Sequence, residues 1–236
     1  MFKKIYFDTL LSTNKYLKEN YHKYSDHTVI ICHNQTNGYG RFNRAWEMKT
    51  NDSIAMSILL KPNKAIEGVS RISLLTSAAI FKVISSFTDK VKLKWPNDVL
   101  VNGKKISGIL LESIISNDLE ALIIGIGVNV NNDNFSCEVT RKATSLKIET
   151  NETIDLEIII DEILKWFDYY YKLFLEDKHS YIDLCRKNSS VIGDRYLING
   201  RVITVLDILD NGNILVKDGN DNIEYSYGEL TLEEIY

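Results

Sequence analysis

Three cysteines and two prolines are scarce punctuation for a chain of 236 residues. Cys32, Cys137 and Cys185 are odd in number and widely spaced. That fits free thiols in a reducing cytoplasm, where we expect the protein to reside, better than a disulfide framework. The four histidines, His22, His27, His33 and His179, are scattered without ligand spacing, so no metal site is expected. No apolar run approaches a membrane span, and Met1–Asp8 has no apolar core of signal-peptide length. There is no internal repeat and no low-complexity segment. A net charge of -4 argues against a protein that coats nucleic acid or anionic membrane. What remains is ordinary for a globular chain: 44% hydrophobic and 25% charged residues, enough for one large domain or a medium and a small one.

The pattern of what is there suggests an α+β layer architecture. Ser12 or Thr13 caps a helix carrying Leu17, Tyr21 and Tyr24. Residues 28–32 and 53–60 read as buried strands, and 69–87 as a core helix with Ile72, Leu75, Ala79 and Val83 on one stripe. Residues 91–95 form a short strand. Asn102-Gly103 between apolar runs is a hairpin signal. Residues 108–115 continue the sheet, Asn117-Asp118 turns, and 122–130 return. The sheet is expected to be mixed and largely antiparallel, with helices packed to one side. Residues 155–174 form a second long helix, with Thr153 as its cap and Asp155 and Glu157 in the favourable first turn. From residue 191 the texture changes to short strands separated by Asn199-Gly200, Asn211-Gly212 and Asp218-Gly219. No helix is expected there before the very end. This reads as a small SH3-like β module, with a boundary near Ser189-Ser190 that divides the chain into 1–188 and 189–236. The acidic segment Glu229–Glu234 reads as a solvated edge or tail.

Gly38-Tyr39-Gly40-Arg41-Phe42-Asn43-Arg44-Ala45-Trp46 is the densest chemical signal. Glycines let the backbone curl round a ligand, and arginines match phosphate or carboxylate with permanently charged, planar donors. Other segments are bland alone. Ser12-Thr13-Asn14 is a helix cap, Lys94-Trp95-Pro96-Asn97-Asp98 a strand end and turn, and Lys104-Lys105 a hairpin tip. Gly125-x-Gly127 lacks the third glycine and the following helix of a dinucleotide fingerprint. The glycine-arginine loop lacks the Gly-Lys-Ser/Thr of a P-loop. Cys32 lies beside His33, but neighbours on a strand face opposite ways, so a buried thiol is expected rather than a nucleophile.

Taken together and in order, these segments resemble the biotin protein ligase family. The loop ends in Arg44-Ala45-Trp46, matching that family's Arg-x-Trp. Lys94–Asp98 matches its Lys-Trp-Pro-Asn-Asp run without a change. Lys105 precedes Gly108-Ile109-Leu110-Leu111-Glu112, and Asn129 closes its Gly-x-Gly-x-Asn strand. The C-terminal Gly228-Glu229-Leu230 also fits. The resemblance implies a class II synthetase-like catalytic domain and a two-step reaction. Biotin and ATP form biotinyl-5′-AMP and pyrophosphate; a lysine of a biotin carboxyl carrier domain then takes the biotin and AMP leaves. It implies that Lys105, Arg41 and Asp98 serve the chemistry, with Arg41, Arg44 and Lys105 as countercharges to the anionic groups. Ser12, Thr13, Asn14 and Gln35 suit the uncharged ureido head. Gly38, Tyr39, Gly40, Trp46, Lys94, Asn97, Gly108 and Asn129 complete the expected ligand-binding set. Mg²⁺ is expected with ATP, and Asn97, Asp98 and Asn129 either organise phosphate and metal or orient the incoming lysine.

Two departures stand out. Tyr39 replaces an arginine frequent in the family, and Phe42-Asn43 replaces a more basic, glycine-containing pair. Either the arginine's backbone matters and little changes, or its side chain holds ligand and binding is weaker here. The sister class of lipoate ligases and octanoyltransferases carries a glycine-triplet arginine motif that is missing here. A binding-only sensor would not need Lys105, Arg41 and the intact Lys94–Asp98 run together. Only eleven residues precede Ser12, too few for a helix-turn-helix, so no DNA binding or repressor role is expected. By resemblance, an edge-to-edge homodimer and ligand-induced ordering of the glycine-arginine loop are also expected.

Overall fold

The computed structural model describes residues 2–62, 68–136, 139, 142–198, 200–227 and 233–234. Cys137, Asn199 and Gly228–Leu230 lie outside the described residues. Strand β1 (Lys3–Leu10) leads into helix α1 (Thr13–Asn20), then β2 (Thr28–Gln35), β3 (Ser53–Leu60) and helix α2 (Val69–Ile84). Strands β4 (Val91–Lys94), β5 (Asp98–Val101), β6 (Lys104–Ile115) and β7 (Leu119–Asn129) follow. These seven strands make one sheet in the order β1-β2-β3-β7-β6-β5-β4. The β1–β2 pair is parallel and the other pairs are antiparallel, as the turn chemistry of Asn102-Gly103 and Asn117-Asp118 suggested.

Side-chain alternation on the two central strands divides the sheet into two unlike faces. Ile54, Met56, Ile58 and Leu60 of β3 and Leu122, Ile124, Ile126 and Val128 of β7 enter the main core. That core is closed by α2 and by α4 (Leu156–Leu175), and it continues through Tyr181 and Ile182 of α5 (Ser180–Lys187). The intervening residues face the other way. Leu59, Ala121 and Ile123 pack against Leu17 of α1 in a second, smaller cluster. Beyond that cluster β3 and β7 present small residues on the same face. Ala55 pairs with Gly127, which pairs in turn with Gly108; Ser57 pairs with Gly125. A sheet face with no bulk on it is a groove, and this one positions the site.

Helices therefore lie on both faces, not on one as expected: α1 covers part of the second face, where Leu17 meets its apolar partners. Three elements were not foreseen, namely β1, α3 (Leu146–Thr150) and α5. The cap of α4 is Asp155, whose carboxylate accepts from Glu157 N at 2.9 Å, rather than Thr153. Ser12 caps α1 as expected, accepting from Lys15 N.

Strands β8 (Arg195–Ile198), β9 (Arg201–Ile208), β10 (Ile214–Asp218), β11 (Asp221–Tyr225) and β12 (Glu233–Glu234) form a second, antiparallel sheet in the order β11-β10-β9-β8-β12. It fits the SH3-like module expected from residue 191 onward. Glu233–Glu234 pair with β8 at the edge of this sheet. This sheet shares the main core through Ile198, Val205 and Val216. It is tied to the β4 edge: Leu93 N donates to Asn188 O and Ser190 N to Leu93 O, each at 2.9 Å. The Trp95 indole N–H donates to Gly212 O at 3.1 Å.

Candidate active site

A cavity of about 200 Å³ opens on the small-residue face. The start of α1 brings Ser12, Thr13 and Asn14 to it, and the end of β2 brings Gln35. The loop after β2 contributes Tyr39, Gly40, Arg41, Arg44 and Trp46. The β4–β5 turn contributes Lys94, Asn97 and Asp98, and β6 contributes Lys105 and Gly108. Most residues singled out in the sequence thus meet around one cavity.

One end is polar and largely uncharged. Gln35 Oε1 accepts from Thr13 N at 2.8 Å and from the Thr13 hydroxyl at 3.1 Å. Ser57 Oγ lies 2.7 Å from Thr13 Oγ1 and 2.6 Å from Asn14 Oδ1, and its one proton serves one of them at a time. Ser57 is completely buried and Asn14 nearly so. Asn14 Nδ2 donates to Glu112 Oε2 at 2.9 Å, and Lys18 Nζ lies 2.8 Å from the other oxygen of Glu112. Such a network can offer a ligand both donors and acceptors without placing a free charge on it.

The glycine-arginine loop is a small hairpin. Trp46 N donates to Gly38 O at 3.0 Å and Gly40 N to Arg44 O at 2.8 Å. Its tip, Arg41–Asn43, holds Phe42 and Asn43 in left-handed backbone, at φ 56° and 55°. Glycine and asparagine adopt that region readily and phenylalanine seldom does, so Phe42 sits in backbone that its residue type rarely takes. Phe42 is 63% exposed. Three contacts seat the hairpin on the sheet. The Trp46 indole lies over Gly127 and Gly108; a Cβ on Gly127 would fall 2.5 Å from the indole. The Tyr39 hydroxyl donates to Glu112 Oε2 at 2.9 Å. Arg41 Nη1 lies 3.5 Å from Asn97 Oδ1, and its guanidinium carbon lies 5.1 Å from the ring centroids of both Phe42 and Tyr227. Burial, then the Glu112 carboxylate, push the Tyr39 phenol well above its ordinary range, so it stays a donor at neutral pH.

The other end of the cavity is cationic. Lys105 Nζ sits 2.6 Å from Asp98 Oδ1 and 5.7 Å from the Trp46 ring centroid. Asn97 clamps β6: its Nδ2 donates to Ile109 O at 2.8 Å, and Ile109 N donates to Asn97 O at 2.9 Å. Trp95-Pro96 is a cis peptide, and Pro96 O accepts from the Ser73 hydroxyl. Arg41, Arg44, Lys94 and Lys105 therefore converge beside a polar pocket, an arrangement able to hold an anionic group next to an uncharged head.

Two expected site residues stand off the cavity wall. Gly38 is buried at the base of the hairpin, where a Cβ would fall 2.7 Å from Gln35 Nε2. Asn129, the last residue of β7, is buried, with Nδ2 donating to Thr144 O at 3.0 Å. The motifs containing Gly125 and Glu112 were noted in the sequence without a site role for either residue, and Ser57 and Tyr227 were not singled out. Gly125 leaves room for the Asn14 amide, which a Cβ would overlap. The alternation Ile124-Gly125-Ile126-Gly127-Val128 carried that information, as one bulky face and one bare face. Tyr227 carried no local signal, since its relation to Arg41 exists only across the fold.

Among the described residues, no group of three or more His, Cys, Asp or Glu is placed to hold a metal ion. Among them, too, no helix is long and apolar enough to cross a membrane.

A mixed sheet with a bare-faced polar cavity, roofed by a cationic hairpin, forms a site suited to an uncharged head beside an anionic group. The model of the biotin/lipoate A/B protein ligase family matches residues 6–129, and the chain belongs to that family. The bifunctional ligase/repressor BirA of Bacillus subtilis (strain 168) is 31% identical over 232 residues, 94% of this chain and 71% of that one. BirA of Bacillus spizizenii is 35% identical over 176 residues, 72% of this chain and 54% of that one. The chain thus spans 54% and 71% of the lengths of these two relatives. The structure of the biotin protein ligase from Aquifex aeolicus in complex with biotin and ATP superposes with a TM-score of 0.88 at 27% identity, covering 99% of each chain.

Proposed function

We propose that this protein is a biotin protein ligase. Biotin's carboxylate oxygen attacks the α-phosphorus of ATP, forming biotinyl-5′-AMP and releasing pyrophosphate. The amine of an acceptor lysine then attacks the carbonyl carbon of that mixed anhydride, forming an amide and releasing AMP. The observation that carries this reading is the two-ended cavity: Thr13, Asn14, Gln35 and Ser57 at an uncharged end, Arg41, Arg44 and Lys105 at a cationic one. The ureido head needs donors and acceptors but no charge. Carboxylate and triphosphate repel one another, and fixed cations lower that cost most where charge accumulates on the α-phosphate. Lys105 is our candidate for that position. Arg41 and Arg44 are candidates for the flanking phosphates, with Asp98 holding Lys105 in place. Much of the rate comes from positioning, since the adenylate carries its own leaving group. The Aquifex aeolicus relative, solved with biotin and ATP, supports this choice of ligands.

The metal enters as part of the MgATP substrate. The acceptor we propose is the biotin carboxyl carrier domain of acetyl-CoA carboxylase or of another biotin-dependent enzyme. Residues 1–188 form the proposed catalytic unit and 189–236 the SH3-like one, and a homodimer through sheet edges is the proposed assembly. Pyrophosphate release with MgATP, compared across biotin, lipoate and octanoate, tests the reading, with a carrier domain added last. Release with biotin alone and labelling of the carrier lysine is the expected result. Release with lipoate or octanoate moves the chain to the sister class, and biotin binding without release makes it a sensor.

A further inference from the structure

The hairpin 38–46 is closed internally by Trp46 N to Gly38 O and Gly40 N to Arg44 O. Those bonds shape the hairpin but do not decide where it sits over the sheet. The Tyr39 hydroxyl does reach the sheet, giving a hydrogen bond of 2.9 Å to Glu112 Oε2 on β6. The acceptor is a carboxylate whose side chain is 18% exposed, so the bond is charge-assisted and partly shielded from water. The same oxygen accepts from Asn14 Nδ2 at 2.9 Å, and the other oxygen faces Lys18 at 2.8 Å. With its amide nitrogen held by Glu112, Asn14 turns its Oδ1 toward Ser57, 2.6 Å away. One carboxylate therefore joins the roof of the cavity to the residue that prepares its polar end.

We propose that Tyr39 is a positioning residue: it latches the glycine-arginine hairpin over the cavity through Glu112, and this carboxylate sets the Asn14 amide for the ligand's polar head. The proposal deepens the ligase reading and rests on it for the identity of the ligand. It does not rest on it for the latch, whose test needs no ligand. It also gives the tyrosine that replaces the usual arginine a side-chain task of its own.

Arg41 and Arg44 place two tryptic sites in the hairpin, so its seating can be read by limited proteolysis of the ligand-free protein, with the cut positions identified by mass. Removing one hydrogen bond to a charged acceptor shifts an opening equilibrium by about tenfold or more. Tyr39→Phe is expected to speed cleavage after Arg41 and Arg44 about tenfold, to raise KM for biotin by a similar factor, and to lower kcat by less. Glu112→Ala is expected to speed cleavage as well, and the double variant to be cut no faster than Glu112→Ala alone. Glu112→Gln is the replacement should the alanine variant not fold. Equal cleavage of native protein and Tyr39→Phe overturns the latch. Additive effects in the double variant overturn its route through Glu112. Failure of the native protein to release pyrophosphate with biotin counts against the ligase reading alone, and the ligand-free cleavage arm still decides the latch.

Discussion

Lys105 Nζ lies 2.6 Å from Asp98 Oδ1, joining the two strands of the β5–β6 hairpin at the mouth of the cavity. Both side chains are partly exposed, 34% and 24%, so the pair contributes only about 0–1 kcal/mol to folding. Its use is in holding an ammonium group at one place. Lys105→Ala is therefore expected to leave the thermal midpoint nearly unchanged while slowing adenylate formation about 10²–10³-fold, the usual cost of losing a group that stabilises transition-state charge. Asp98→Asn should slow the step less. In the Lys105→Ala background the same change should add little if Asp98 acts through the lysine. Single-turnover pyrophosphate release measures all three; a native rate in Lys105→Ala would remove this lysine from the chemistry.

Gly127 leaves no space for a side chain beneath Trp46. Overpacking of this kind costs about 1–3 kcal/mol, and here the mobile partner is the hairpin rather than the core. Gly127→Ala should keep the far-ultraviolet dichroism of the native fold and weaken biotin binding about tenfold or more in calorimetric titration. Unchanged affinity would mean that the Trp46 position does not matter to the ligand.

Tyr227 belongs to the C-terminal part of the chain, yet its ring lies 5.1 Å from the guanidinium carbon of Arg41. A cation–π contact of this type contributes about 0.5–2 kcal/mol. Tyr227→Leu is expected to raise KM for ATP several-fold with a smaller effect on biotin, because Arg41 belongs to the cationic end. Tyr227→Phe keeps the aromatic face and should restore the native value. Equal loss in both variants would point to the hydroxyl instead.

Alkaline pH should destabilise the fold in a defined window. Burial pushes the Cys185 thiol from 9.0 to about 12, and the Tyr170 and Tyr181 phenols from 10.0 to about 12. The unfolded chain releases these protons first, so their contribution is intact below about pH 9 and falls as pH rises toward 12. Urea midpoints measured from pH 8 to 11 should drop, and Cys185→Ala should flatten part of the drop. A midpoint independent of pH across that range would contradict the assignment.

Much of the sheet was legible because its signals are local. Asn102-Gly103 sits at positive φ in both residues, as a tight hairpin between β5 and β6 requires. The apolar stripe of α4 and the Ser12 cap are likewise set by neighbours in sequence. Strand β1 was missed because its residues are an irregular mix of exposed and half-buried, without the apolar run of a central strand. Helix α5 is only eight residues long, too short for its periodicity to stand out. Asp155 rather than Thr153 caps α4, because competing cap residues two positions apart are told apart only by where the backbone enters the first turn.

The residue types of the site, and most of the strands and helices that carry them, are set locally, since helix caps, turn chemistry and side-chain period act over a few residues. The sequence also contained the bare face of β7, in Gly125 and Gly127 alternating with isoleucine and valine. What that face lines depends on long-range strand pairing. Pairing β3, β7 and β6 in one register sets Ala55, Gly127 and Gly108 side by side, and α1 covers only part of the same face. The contacts Tyr39–Glu112, Lys105–Asp98 and Arg41–Tyr227 followed from that assembly. Tyr39–Glu112 and Arg41–Tyr227 span long stretches of chain, and Lys105–Asp98 crosses a bulged strand pair, so no local pattern announces them.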